Sequence, residues 1–179
     1  WLGSISDDFT LTKVVREAGL PIHFTPNCLV AAVGDCGLGE LLSFTTRQIQ
    51  ITRVYAPELW LPLLLGSALF TLVFFGGLVL LFCLITVGKA SVSLMVILAT
   101  IFVLGAIKSF IRWRAVHAPL PQYRRELRRD LLAHIFLWPV TQPLYLYNAI
   151  VAAFSRRVSW RGITYELKSP NEAVIICRD

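Results

Sequence analysis

From Leu59 to Ile107 the chain carries one charged side chain, Lys89. A helix in water needs a polar face, whereas the hydrocarbon core of a bilayer needs none, and about 20 apolar residues cross it. Gly88-Lys89-Ala90-Ser91 divides the run and reads as a short hairpin turn. The pattern predicts two antiparallel transmembrane helices, the first from Leu59 to about Val87 and the second from Val92 to Ile111. Arg112-Trp113-Arg114 then reads as a membrane boundary, an aromatic ring between two charges.

The remaining charge is placed to match. The 179 residues include 17 Lys and Arg against 11 Asp and Glu, a net charge of +6, in a chain that is 56% hydrophobic. The cations gather from Lys108 to Arg129 and again from Arg156 onward. They flank apolar spans, so they fit the positive-inside bias and not the footprint of a nucleic-acid-binding surface. No nucleic-acid partner is expected. The arginine loop 112–130 is assigned to the cytoplasm, residues 1–57 lie on the same side two crossings away, and the Lys89 turn lies on the far side.

A third apolar stretch, 131–154, is long enough to cross, but Pro139 and Pro143 interrupt it and both flanks are basic. A re-entrant or interfacial pair of helices with both ends cytoplasmic is favoured over a third crossing.

Residues 1–57 read as surface-bound or soluble. Asp7 to Gly19 suits a helix capped by Ser6, with Leu11, Val14, Val15 and Ala18 on one face. Residues 21–33 read as extended and 34–37 as a turn. A second helix is expected over 38–55, with Leu38, Leu41, Leu42, Thr45, Ile49 and Thr52 as its less polar face. In the tail, 160–162 reads as a turn and 163–167 alternates like a strand. The opening residues hold no Met and no basic stretch ahead of an apolar one. The chain is therefore read as a fragment without a signal peptide. Cys28, Cys36, Cys83 and Cys177 form no CxxC pair, and His23, His117 and His134 are scattered, so no metal ligand set is expected in this stretch.

Two groups of residues have the chemistry of a site. Asp7 and Asp8 read either as a general base at a helix start or as charges facing the helix dipole. Arg47 and Arg53 stand just before a span. They read either as ligands for a diphosphate or lipid headgroups, or as snorkelling interfacial cations.

The order of these pieces resembles the ceramide glucosyltransferase-like branch of family 2 glycosyltransferases, over the later part of that architecture. Asp7-Asp8-Phe9 matches the family's acidic-Asp-aromatic segment, which makes Asp8 the base and Asp7 its acidic neighbour. Arg47 matches the first position of the next motif. Gln50-Ile51 stand where the family has Arg-Trp, and Arg53 is the substitute cation. Trp160-Arg161-Gly162-Ile163-Thr164-Tyr165 is similar to the closing segment.

The resemblance implies an α-helical membrane protein in several parts. Residues 1–57 are the end of a cytoplasmic GT-A-like α/β domain with an interfacial helix. Two transmembrane helices follow over 58–111, then the basic loop 112–130, the re-entrant or interfacial segment 131–154 and a cytoplasmic tail, 155–179. It further implies inverting transfer of a hexose from a nucleotide sugar to a lipid acceptor such as ceramide, among membrane lipids. A divalent metal, Mg or Mn, would be held by residues ahead of this stretch. A processive polysaccharide synthase is disfavoured, because so few polar residues line no channel. A non-catalytic membrane anchor or subunit is the alternative.

Overall fold

The computed structural model describes residues 4–31, 34, 36–160 and 162–178. Val33 of the expected extended stretch, Asp35 of the expected turn and Arg161 of the expected tail turn lie outside the described residues. Contacts divide the chain into two units, Trp1–Phe24, Asp35–Leu65 and Tyr145–Asp179 in one, Thr25–Gly34 and Gly66–Leu144 in the other.

In the first unit, helix α1 (Asp7–Glu17) starts where Ser6 accepts the Phe9 N–H at 3.5 Å, with Asp7 and Asp8 in its first turn. It ends at Gly19, which takes φ +67°, a conformation open to glycine. The Gly19 N–H donates to Arg16 and the Leu20 N–H to Val15, so two orphan carbonyls are satisfied. Nothing in α1 is buried, and the expected face is open at Leu11 and Val14. The segment 21–31 expected to be extended forms no strand among the described residues, only a 3₁₀ turn at Pro26–Cys28.

Helix α2 (Leu38–Tyr55) has the expected bounds, opening where the Glu40 carboxylate accepts the Gly37 N–H at 3.2 Å. Its buried residues are Gln50 and Ile51, and the expected less polar face is exposed at Leu38, Leu41 and Leu42. The reason is its partner. Strands β1 (Arg157–Trp160), β2 (Ile163–Ser169) and β3 (Glu172–Arg178) form an antiparallel sheet in the order β1-β2-β3. Val158 and Leu167 are buried with Ile51, and Phe9, Val54 and Tyr55 pack around them. Trp160 pairs with Ile163 across the two-residue connection 161–162, where Gly162 takes φ +75°. The tail is thus a small sheet, of which the sequence pattern revealed only β2.

Two long helices follow, α3 (Pro57–Thr86) and α4 (Val92–His117). Pro57 occupies the first helical position, where its missing N–H is not needed. At 1.5 Å per residue the two helices run about 45 and 39 Å, more than the roughly 30 Å of a hydrocarbon core. Both are apolar enough to cross a membrane, and only 6% and 11% of their most apolar windows are buried. That exposure separates them from core helices of a soluble domain. Gly88 takes φ +73° after α3, and Ser91 caps α4 by accepting the Leu94 N–H at 3.3 Å.

Helix α4 runs on past Ile111, the expected end of the second span. Arg112, Trp113 and Arg114 continue α4, since no helix breaker comes before Pro119. Trp113 Nε1 donates to the Leu127 carbonyl at 2.7 Å, tying α4 to the short helix α5 (Arg124–Arg129).

The third apolar stretch is broken into α6 (Leu131–Phe136), a 3₁₀ turn at Trp138–Val140 and α7 (Thr141–Phe154). Only Pro139 sits at the break. Pro143 is the third residue of α7, where no intrahelical partner awaits its N–H. The Ser109 hydroxyl donates to the His134 carbonyl at 2.7 Å. Trp138 packs edge-on to Phe70 at 5.3 Å and against Phe74 and Phe102, both at 6.1 Å.

Candidate catalytic and anion-binding site

All five residues singled out by sequence, Asp7, Asp8, Arg47, Gln50 and Arg53, belong to the first unit. One anchor joins the two helices that carry them. The Tyr55 hydroxyl accepts the Ile5 N–H at 2.9 Å and lies 3.0 Å from Ser4 Oγ. The Phe9 ring stacks on Tyr55 at 5.7 Å. The start of α1 is therefore fixed against the end of α2, two residues beyond Arg53. Asp7 and Asp8 are exposed, and neither forms an ion pair among the described residues. Both stand in the first turn of α1, at the positive end of the helix dipole.

The three residues of α2 have distinct surroundings. The Arg47 guanidinium lies over the Phe44 ring at 5.5 Å and the Trp160 ring at 6.0 Å. Gln50 is buried, and its Nε2 donates to the Ser155 carbonyl at 3.3 Å. Arg53 donates to the Ala152 carbonyl and lies over the Trp60 ring at 5.2 Å. Trp60 Nε1 donates in turn to the Ala149 carbonyl at 3.3 Å. The last four carbonyls of a helix have no partners of their own. Here Arg53 supplies Ala152, and Gln50 supplies Ser155 just past the end of α7. Deeper in α7 the Thr46 hydroxyl donates to Asn148 Oδ1 at 2.8 Å.

An open cleft of about 500 Å³ lies beside this end of α7. It is bordered by Arg53, Arg156 and Arg157, with Glu166 its one acid among the described residues. Arg156 Nη1 reaches the Lys168 carbonyl at 3.2 Å. Arginine binds phosphate oxygens through paired N–H groups, so three guanidinium groups around one cleft suit a polyvalent anion. Arg156 and Arg157 had registered in the sequence only as flanking charge. Trp60 and Glu166 gave no local signal, because their place beside these arginines depends on the sheet and α7 meeting α2.

Among the described residues no group of three or more His, Cys, Asp or Glu stands close enough to hold a metal ion. The ligands of the divalent metal implied by the resemblance are expected ahead of this stretch, and the positive charge beside the cleft here is that of the arginines.

The sequence model described as Glycosyl transferase family 21 matches residues 2–173. The match supports the ceramide glucosyltransferase-like part of the resemblance. No curated protein and no solved structure matches the chain. With a match that runs through both candidate helices, the long apolar pair and most of the tail, the chain belongs to glycosyl transferase family 21.

Proposed function

We propose that this protein, embedded in a membrane with its catalytic face cytoplasmic, transfers a hexose from a nucleotide sugar to a lipid acceptor such as ceramide. Transfer inverts the anomeric carbon. Asp8 takes the proton of the acceptor hydroxyl as its oxygen attacks, and Asp7 is its acidic neighbour. Arg47 and Arg53, with Gln50 beside them, serve the diphosphate side, and Arg156 and Arg157 extend that set. Their guanidinium groups offset charge that builds on the departing diphosphate.

The observation that carries this reading is the Tyr55 anchor, which fixes the segment bearing Asp8 to the helix bearing the three polar residues. The exposed apolar length of α3 and α4 supports a membrane setting and hence a lipid acceptor. A non-catalytic anchor has one observation in its favour: Gln50 and Arg53 already donate to main-chain carbonyls around the end of α7.

Substitution of the two carboxylates separates these readings. In membranes carrying the full-length protein, Asp8→Asn is expected to lower hexose transfer to ceramide by about 10²-fold or more at unchanged protein level. Asp7→Asn is expected to lower it less. Equal, mild effects at both positions would favour the anchor.

A further inference from the structure

In the second unit, α4 and the break before α7 enclose a cleft of about 370 Å³. Lys108 and Arg112 stand one turn apart on α4 at its rim, with Thr141, Gln142 and the Trp138 ring opposite. Neither cation forms an ion pair among the described residues. Asp130 shares a smaller adjoining depression with Arg112 and pairs instead with Arg129 at 3.7 Å. The Trp138 indole N–H is buried without a partner.

A second hollow, of about 580 Å³, is lined in part by Pro139 and Val140 of the same turn. Its lining is apolar throughout and includes Phe74, Leu98, Phe102, Phe136 and Val140. Trp138 links the two without itself lining the groove. Its ring borders the cationic cleft and packs on Phe74 and Phe102, which line the apolar groove. Pro139, the next residue, lines that groove as well.

We propose that this pair of cavities binds one anionic phospholipid, its phosphate between Lys108 and Arg112 and one acyl chain along the groove. The charge selects the class. A neutral lipid would leave two adjacent cations without a counter-charge, and a zwitterionic headgroup would bring a third cation beside them. An anionic headgroup supplies the missing charge, with Arg112 able to pair two phosphate oxygens. An ester or phosphate oxygen seated against Trp138 supplies an acceptor for its indole N–H. The apolar groove beside the ring then takes the chain that a free phosphate lacks. The inference rests on α3 and α4 lying in a membrane and on nothing about sugar transfer.

The test reads binding and not turnover. The protein is reconstituted in phosphatidylcholine vesicles holding a trace of phosphatidylglycerol with a photoactivatable acyl chain, or of the matching phosphatidylcholine probe. After irradiation the labelled peptides are mapped. The anionic probe is expected to label residues 98–103 and 136–140 on the order of tenfold above the zwitterionic probe, the size two interfacial cations can supply. Lys108→Gln with Arg112→Gln is expected to bring the two probes level, while the charge-keeping pair Lys108→Arg with Arg112→Lys retains the preference. Arg124→Gln with Arg125→Gln removes equal charge from the exposed helix α5 and is expected to change nothing. Equal labelling by both probes in the unaltered protein overturns the site, as does an equal loss in the α5 variant. Displacement of the anionic probe by inorganic phosphate overturns it in favour of a free-anion site. Extraction of the protein from vesicles by alkaline carbonate overturns the membrane setting and the site with it.

Discussion

At Gly105 the absence of a side chain makes room for an indole. A Cβ built there overlaps the Trp138 ring, whereas one built at Gly66 meets nothing within 4 Å. The ring has little freedom to retreat, because Phe70, Phe74 and Phe102 surround it. Gly105→Ala is therefore expected to destabilise the protein by about 1–3 kcal/mol, the usual cost of overpacking. Gly66→Ala is expected to be neutral or to stabilise by about 0.5–1 kcal/mol through helix propensity. Thermal unfolding in detergent measures both, and equal midpoints would show that Trp138 moves aside without cost. Residue chemistry of this kind was only partly legible in advance. Asp7, Asp8, Arg47 and Arg53 stood out by type and position in the chain. The need for glycine at 105 did not, because it comes from a ring more than thirty positions later.

Among the elements, the long apolar helices were the easiest to read, since their signal is local and continuous. The inner face of α2 was not. Its apolar residues spread around the helix, and the strands that select a face lie about a hundred positions further on. Those strands bury Gln50 beside Ile51, a burial that is tolerable only because the amide has an acceptor. Gln50→Leu keeps the bulk but leaves the Ser155 carbonyl without this donor. A loss of about 1–3 kcal/mol is expected. Gln48→Leu, exposed on the same helix, is expected to cost little. Denaturation of the two variants side by side measures the difference, and equal stability would mean that the Gln50 contact contributes nothing. The sheet shows the same limit of local reading. Strand β2 alternates and could be anticipated, whereas β1 is four residues long and β3 gains its identity by pairing with β2.

For the whole molecule, charge and helix length together set the side of the membrane expected for each segment. Two crossings by α3 and α4 would return the chain to its starting face, and by the positive-inside bias the arginines between 112 and 129 would place that face in the cytoplasm. The apolar stretch that follows is divided into a helix of 6 residues and one of 14, each short of the roughly 20 that a crossing needs. A crossing would also export Arg156 and Arg157 against the charge bias. A return keeps every basic cluster inside and uses the break at Pro139 as its bend. The check is single cysteines at Ser91, Gln122 and Ser169, in a background from which Cys28, Cys36, Cys83 and Cys177 are removed. Position 91 is expected to label from outside in intact cells, and positions 122 and 169 only after permeabilisation. External labelling at 169 alone among the latter two would establish a third crossing. The tail sheet and its arginine cleft would then lie across the membrane from the loop 112–130, and no cytoplasmic diphosphate would reach Arg156 and Arg157.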